Sequence, residues 1–135
     1  MSVPSVRFRL DFGVDEAVGP GKIALLEQIG RGGSLSQAAR DLKMSYRRAW
    51  QLLDSINSTF LEPVVVARKG GRGGGGATLT PFGRALIESY RAFDAEVQAR
   101  AAQAFAPLTG KSRRPPSRGS SGKRKSAPVR RLNQR

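Results

Sequence analysis

The sequence contains no cysteine and no histidine. Disulfides, zinc sites built from these residues, and catalytic dyads or triads that need either one are excluded. Asp, Glu, Ser and Lys remain, but no carboxylate pair or Ser/Lys arrangement stands out. We therefore expect no catalytic residues, no metal site and no cofactor, and a protein that is not an enzyme.

Long apolar runs are also missing. No stretch approaches the ~20 residues of a membrane span, and residues 1–20 lack the apolar core of a signal peptide. We therefore expect a soluble, cytoplasmic protein with no membrane partner.

Acidic residues are absent from one end of the chain. The 135 residues carry a formal charge of +14. Residues 1–106 hold 14 basic and 10 acidic side chains, whereas residues 107–135 hold 10 basic and none that is acidic. Nucleic acid is the usual partner of so basic a protein. Because most of the excess lies in the last 29 residues, the evidence for a DNA-binding fold must come from residues 1–106.

The length fits one domain, and the composition places it in residues 1–106. Residues 107–135 consist mostly of Pro, Ser, Gly, Arg and Lys, which cannot bury enough apolar surface to offset the entropy of ordering. We expect a disordered basic tail there. It would attract phosphates without sequence preference, or it would only keep the protein soluble.

The first half of the domain predicts a strand and three helices. Apolar and charged residues alternate over 6–12, which is typical of a strand with one buried face. A helix follows and ends in the glycines of 30–33. Residues 34–37 read Ser-Leu-Ser-Gln and predict a capping box at the start of a short second helix. In it the side chains of Ser34 and Gln37 each bond a free backbone N–H group of the first turn. A tight turn leads to a third helix over about 45–60.

The second half predicts a hairpin and a long helix. Residues 64–66 start a strand, 69–76 form a loop with six glycines and two cations, and 77–79 return as a strand. The loop is not a dinucleotide fingerprint, because no helix follows it directly. A Thr-Pro pair at 80–81 then caps a last helix that runs to about residue 105.

This order predicts a winged helix-turn-helix. The fold is mostly α with a small β-hairpin, an N-terminal strand and a long C-terminal dimerisation helix. The third helix of such a fold lies in the major groove with its N-terminal residues against base edges. The hairpin would act as a wing on the backbone or minor groove, and double-stranded DNA is the expected partner.

The predicted DNA contacts are polar or cationic side chains at the starts of the second and third helices and on the wing. They are Ser34, Ser36, Ser45, Tyr46, Arg47, Arg48, Gln51, Lys69 and Arg72. Arginine can read guanine and glutamine can read adenine, while hydroxyls and lysine can hold phosphates. The alternatives are a solvated helix face at Arg47 and Arg48 and a merely flexible glycine loop. For Trp50, packing against a neighbouring helix is favoured over contact with DNA.

The last helix has an apolar stripe longer than so small a domain can cover. The predicted dimer interface on it comprises Tyr90, Phe93, Val97 and Ala101. Two subunits of a homodimer would present two recognition helices to half-sites about one DNA turn apart.

Several segments together have a familiar pattern. They are Ser-Tyr-Arg-Arg-Ala-Trp at 45–50, Val-Ala-Arg at 66–68, the glycine-rich run at 70–77, Leu79 with Thr80, and Gly83, Leu86, Ile87 and Tyr90. Over about residues 3–105 the chain resembles the N-terminal DNA-binding domain of ModE, the molybdate-responsive bacterial transcription regulators, and more distantly the LysR-type domain. The resemblance implies a dimeric winged helix that binds operators of molybdate-transport or molybdoenzyme genes.

Regulators of that family also carry C-terminal molybdate-binding domains, whereas this sequence continues after residue 106 as the basic tail. We therefore expect no molybdate bound to this chain. Another protein could sense the oxyanion, or this protein could regulate other genes or bind DNA constitutively.

Two functions remain at this point. The leading one is a sequence-specific, nucleoid-associated transcriptional regulator of the ModE and LysR-like type, acting on molybdate-related genes. The alternative is a nucleoid-type architectural protein with little sequence preference. Arg47 with Gln51 favours the first, and the basic tail favours the second. The operator, the regulated genes, the sign of regulation and any effector are not specified by the sequence.

Overall fold

Helices make up most of the residues that the structure describes, and two antiparallel strand pairs accompany them. The computed structural model describes residues 3–13, 16–71, 74–111 and 113, apart from the side chains of 68–71, 74 and 75. The elements are β1 (Leu10–Asp11), β2 (Ala17–Val18), α1 (Pro20–Gly32), α2 (Leu35–Asp41), α3 (Tyr46–Thr59), β3 (Val65–Gly71), β4 (Gly74–Leu79), α4 (Pro81–Ala104) and α5 (Ala106–Thr109). This order confirms the predicted winged helix-turn-helix.

The chain forms two compact units, of which one spans Arg7–Glu96. The other consists of the described residues before Arg7 and from Val97 onward. In this second unit the side chain of Gln98 bonds to the backbone of Val6 twice, donating to its carbonyl and accepting from its N–H, both at 2.9 Å.

The segment predicted to be a disordered tail begins as a helix. α5 continues helical structure to Thr109, three residues past the predicted boundary at 106. The rest of that segment, residue 112 and residues 114–135, lies outside the described residues, so its disorder stays a prediction.

The N-terminal strand is shorter than predicted. The alternation holds over residues 6–10, because Val6, Phe8 and Leu10 are half-buried while their neighbours are exposed, but Phe12 is 49% exposed and does not continue it. Only Leu10–Asp11 pairs, however, with Ala17–Val18 as its antiparallel partner. β2 gives way to α1 after two residues, so the partner that would extend the ladder is missing. Phe8 instead stacks on Tyr90, with ring centroids 4.9 Å apart.

The core lies around α1, whose apolar stripe faces inward. Its buried residues are Ile23, Leu25, Leu26 and Ile29. The helix stops at Gly33, which has a φ of 70° and donates its N–H to the carbonyl of Ile29. That left-handed conformation is one that glycine adopts at low cost. The carbonyl of Gly33 then accepts from the N–H of Ala77 at 3.0 Å and so attaches β4 to the end of α1.

Small side chains allow α2 and α3 to approach closely. Ala38 and Ala39 on α2 and Ala49 on α3 are all at most 2% exposed. Between the helices the chain reverses at Lys43, which has a φ of 59°, and the N–H of Met44 donates to the carbonyl of Ala39. The predicted tight turn is therefore present.

The wing is more regular than the sequence suggests. β3 and β4 are antiparallel and pair from Val65 with Leu79 to Gly71 with Gly74, with an irregularity between Arg68 and Gly71. The prediction of a loop over 69–76 was wrong for most of its length. Glycine disfavours strands through entropy, but its backbone can still form the ladder once the flanking residues are in register.

The start of α4 packs tightly on the start of the wing. Thr80 accepts from the N–H of Gly83 at 2.9 Å, and its hydroxyl donates to the carbonyl of Pro63 at 2.8 Å. A Cβ at Gly83 would overlap the carbonyl oxygen of Val64. The predicted Thr-Pro helix start is confirmed, and glycine at position 83 permits the close approach.

Candidate nucleic-acid interface

The third helix begins where the sequence predicts. Ser45 is extended and its Oγ accepts from the N–H of Arg48 at 3.0 Å, which satisfies one of the unpaired donors of the first turn. This bond holds the first residues of α3 in helical conformation. The side chains that follow therefore have defined directions.

One face of α3 is polar and exposed. Each helical residue turns the side chain by about 100°, so Arg47, Gln51, Asp54 and Ser58 follow the middle of the face opposite Ala49, Leu53 and Ile56. All four are exposed, and the latter three are buried. The sequence-predicted Arg47 and Gln51 are thus brought together, one turn apart.

Arg47 is available to a ligand. It is exposed, and among the residues that the structure describes it has no hydrogen bond or ion pair. A guanidinium at the N-terminal end of a helix opposes the helix dipole, so the fold gains nothing from its position. Its free five-donor fork suits a guanine edge or a phosphate.

Arg48 lies on the other edge of the face, near a lysine that the sequence analysis missed. Lys22 of α1 donates to the carbonyl of Ala17 at 2.6 Å and to the hydroxyl of Ser55 on α3 at 2.8 Å. Burial lowers the pKa of Lys22, and the charge of Arg48 lowers it further. The two cations therefore repel one another on the flank of α3, a situation that an anionic ligand would relieve.

Trp50 contradicts its prediction. It is 45% exposed and does not pack inside against a neighbouring helix. Its Nε1 donates to the hydroxyl of Tyr46 at 3.0 Å, and Tyr46 is itself 53% exposed. Trp50 lies at the border between the apolar and polar faces, where helical spacing alone does not decide burial.

The start of α2 has half of the predicted capping box. Ser34 Oγ accepts from the N–H of Gln37 at 3.1 Å. The side chain of Gln37 does not return the bond, because it donates to Asp41 at 2.9 Å and accepts from Arg40 at 2.8 Å. Ser36, the other predicted contact on α2, is exposed.

An asparagine that the sequence analysis missed holds the wing against α3. Asn57 Oδ1 accepts from the N–H groups of Val64 and Val65 at 2.8 and 3.2 Å, and its Nδ2 donates to the carbonyl of Val65 at 3.1 Å. The helix proposed to enter DNA and the first residues of β3 thus share one amide. No sequence motif marks this residue.

The wing contacts remain predictions. The backbone of Lys69 belongs to β3, but its side chain and the whole of Arg72 lie outside the described residues.

Comparison with known proteins gives relatives over part of the chain. No family model matches it. It is 44% identical over 92 residues to the molybdenum transport protein ModE of Azotobacter vinelandii, and 48% identical over 80 residues to the molybdenum-pterin-binding protein MopB of Rhodobacter capsulatus. It is 42% identical over 71 residues to the DNA-binding transcriptional dual regulator ModE of Escherichia coli K12. These matches cover 68%, 59% and 53% of this chain.

The chain carries a ModE-type domain. The resemblance seen in the sequence is thereby confirmed. The matches span only 34%, 30% and 27% of the three relatives. Sequence identity over so small a part does not assign the activities of the whole relatives to this chain.

The predicted dimer residues of this ModE-type domain differ in exposure. Tyr90 is only 3% exposed, and its hydroxyl donates to the carbonyl of Phe8 at 3.2 Å. It is occupied within its own subunit, so its assignment to a dimer interface was wrong. Phe93 is 44% exposed, and Val97 and Ala101 are half-buried. Their role in an interface stays a prediction.

Within the described ranges, no helix of the ModE-type domain has both the length and the apolar character needed to cross a membrane.

Proposed function

We propose that this domain binds DNA in a sequence-specific way and regulates transcription. The observation that carries the proposal is the exposed N-terminal half of α3, where Arg47 and Gln51 lie side by side. In helix-turn-helix proteins the helix that corresponds to α3 lies in the major groove. One relative is named a DNA-binding transcriptional dual regulator.

Three groups of side chains divide the work. Arg47 and Gln51 contact base edges, where bidentate pairs discriminate guanine and adenine. The hydroxyls of Ser34, Ser36, Ser45 and Tyr46 and the cation of Arg48 hold phosphates on either side of the groove. Lys69 and Arg72 extend the contact along the wing to the backbone or minor groove.

The protein acts as a homodimer in the bacterial cytoplasm. Phe93 is an apolar ring left 44% exposed on α4. Covering it with a second copy would pair two recognition helices across a two-fold axis. Sedimentation at micromolar concentration tests this. We expect twice the 14.5 kDa of one chain, and a monomer alone would contradict it.

The genes it controls belong to molybdenum uptake or use. The support is the names of two relatives, a molybdenum transport protein and a molybdenum-pterin-binding protein. Genome-wide footprinting with and without molybdate in the medium checks this proposal. Sites near such genes support it, and sites confined to unrelated genes contradict it.

Competition binding separates a sequence-specific regulator from an architectural protein with little sequence preference. The ten basic side chains of 107–135 favour the architectural protein. The full chain is used to select duplexes from a random library, and the best site then competes with random DNA at ~0.15 M salt. Specific sites typically gain ~10³–10⁷ in affinity over random DNA. Comparable affinities for both would overturn the regulator.

The same assay tests Arg47. Loss of one bidentate contact costs ~1–3 kcal/mol of discrimination, so Arg47→Ala should reduce the preference for the selected site between about fivefold and about 150-fold. Arg100→Ala removes an exposed cation from α4 and serves as the control. An equal loss in both variants would assign Arg47 to general charge attraction.

A further inference from the structure

The exposed face of α3 includes two neighbouring aromatic rings, Tyr46 and Trp50. The contacts proposed above give them no role as a pair. Tyr46 and Trp50 are 53% and 45% exposed and lie four residues apart, so they share one edge of the helix. Adjacent exposed rings flanked by charged side chains are a candidate contact surface.

The hydrogen bond between the rings limits what Trp50 can contact. Tryptophan has a single polar group, the Nε1–H donor, and here it donates to Tyr46 Oη at 3.0 Å. It therefore has no donor left for a base edge. What Trp50 presents to the exterior is the carbon surface of the indole, held in one orientation.

The major groove displays one apolar group that matches such a surface. Among the edges of the four base pairs, only thymine carries a methyl group there, at C5. An apolar ring that enters the groove beside Arg47 would exclude water from that methyl. The exposed cations at Arg47 and Arg48 favour a phosphate-rich partner over an apolar protein surface.

We propose that Trp50, oriented by Tyr46, makes this domain select thymine in its binding site through the 5-methyl group. The inference rests on the proposed function, since it requires α3 in the major groove. Tyr46 keeps a second task, because a tyrosine hydroxyl that accepts from the indole can still donate its own hydrogen to a phosphate oxygen.

The first test changes only the DNA. The selected site is resynthesised with each thymine replaced in turn by deoxyuridine, which keeps the hydrogen-bonding edge and lacks the methyl group. At one thymine of each half-site we expect the full-length chain to bind about fourfold more weakly, the equivalent of ~0.8 kcal/mol for burying one methyl group. If no replacement changes the affinity, the inference is wrong.

The second test assigns that effect to the indole. With Trp50→Ala, the thymine and deoxyuridine sites should bind equally at the sensitive position. Leu61→Ala is the matched control, since Leu61 is a fully exposed apolar residue beyond the end of α3. It should keep the fourfold difference. A difference that persists in Trp50→Ala would overturn the assignment.

The indole also reports its own burial. Trp50 is the only tryptophan in the chain, so its emission should shift to shorter wavelength when the selected duplex is added. Quenching by acrylamide should fall at the same time. Unchanged emission in the saturated complex would show that Trp50 stays in water and would refute the inference.

These outcomes are separable from those of the proposed function. Equal binding of selected and random DNA would refute the regulator itself. A clear preference for the selected site, together with indifference to every thymine methyl group, would refute only the role of Trp50.

Discussion

Asn57 uses both ends of its amide on the backbone of the strand that follows α3. Three hydrogen bonds of 2.8 to 3.2 Å link it to Val64 and Val65. Both valines are buried, so water cannot readily replace a lost partner. Asn57 thus fastens the start of the wing directly to the helix that we place in the major groove.

Replacing Asn57 should therefore destabilise the fold. Leaving a buried backbone group without its partner costs ~1–3 kcal/mol, and Asn57→Ala removes the partner of three such groups. We expect the free energy of unfolding in urea to fall by at least ~3 kcal/mol.

Two further variants make the result specific. Asn57→Asp keeps an acceptor for both N–H groups but turns a second oxygen toward the carbonyl of Val65, where Nδ2 now donates, so it should also destabilise the fold at neutral pH. Ser58→Ala, at an exposed neighbouring position, should stay within about 0.5 kcal/mol of the wild type. A loss at Ser58 as large as that at Asn57 would contradict the role of the amide.

At the scale of elements, the base of the wing depends on how closely α4 approaches β3. Glycine at position 83 allows the carbonyl of Val64 to lie where a side chain would otherwise be. The same carbonyl accepts from the N–H of Thr80 at 3.0 Å. The start of α4 and the start of the wing therefore move as one piece.

Gly83→Ala tests this close approach. Overpacking typically costs ~1–3 kcal/mol, and the atom that would be displaced belongs to the backbone, so we expect a loss of about 2–3 kcal/mol in thermal or urea unfolding. Gly21→Ala provides the comparison, because nothing lies within 4 Å of its Cβ position in α1. It should be neutral or stabilising. Equal effects at the two sites would contradict the packing argument.

An ion pair between two helices gives the stability a pH dependence. Arg91 of α4 binds Glu27 of α1 through two hydrogen bonds of 2.7 and 2.8 Å. The hydrogen bond from Arg91 holds the pKa of Glu27 below its ordinary value of 4.5. Ionised Glu27 thus stabilises the fold above about pH 4.5, and this contribution disappears as the pH falls through the lowered pKa.

Arg91→Gln should reduce both the stability and its pH dependence. Arg91 is 47% exposed, so we expect a loss of up to ~1 kcal/mol at neutral pH and little difference from wild type once Glu27 is protonated. Urea unfolding followed by circular dichroism across this pH range measures both. Arg100→Gln should leave the pH profile unchanged, whereas an unaltered profile in Arg91→Gln would exclude the ion pair as its source.

At the scale of the whole molecule, charge is divided unevenly between two parts, to which we assign different tasks. Residues 1–106 are nearly balanced and carry the proposed base contacts, whereas 107–135 carry ten cations. Phosphate neutralisation makes affinity fall with salt by an exponent of about 0.9 per contact. The division predicts that one part determines site preference and the other most of the salt dependence.

Truncation after Thr109 tests that division, because it keeps α5 and removes all ten cations of the terminal segment. We expect the slope of log affinity against log salt to become shallower, with the preference for the selected site retained. Arg47→Ala should do the reverse: it should reduce the preference for the selected site and leave the salt slope nearly unchanged, because Arg47 is assigned to a base edge and not to a phosphate. If truncation abolished the preference instead, the assignment of tasks would be wrong.

Much of the fold was predictable because its signals are local. A serine or threonine oxygen at positions 34, 45 and 80 bonds an N–H three residues later, and such pairs need no distant partner. The extent of the wing was not predictable from its glycines. Whether they form a ladder depends on how the flanking residues pair, and that pairing is made by the rest of the molecule.

By itself, the sequence determined the order of elements, the exposed cationic start of α3 and the uneven distribution of charge, since helical spacing, capping and composition act over short distances. Only the tertiary structure decided which aromatic side chains are buried and which backbone groups the Asn57 amide bonds. Trp50 faces solvent, Tyr90 faces inward against Phe8, and Asn57 bonds the wing. Each outcome depends on which distant surface lies opposite the side chain, and that is settled only when the elements pack together.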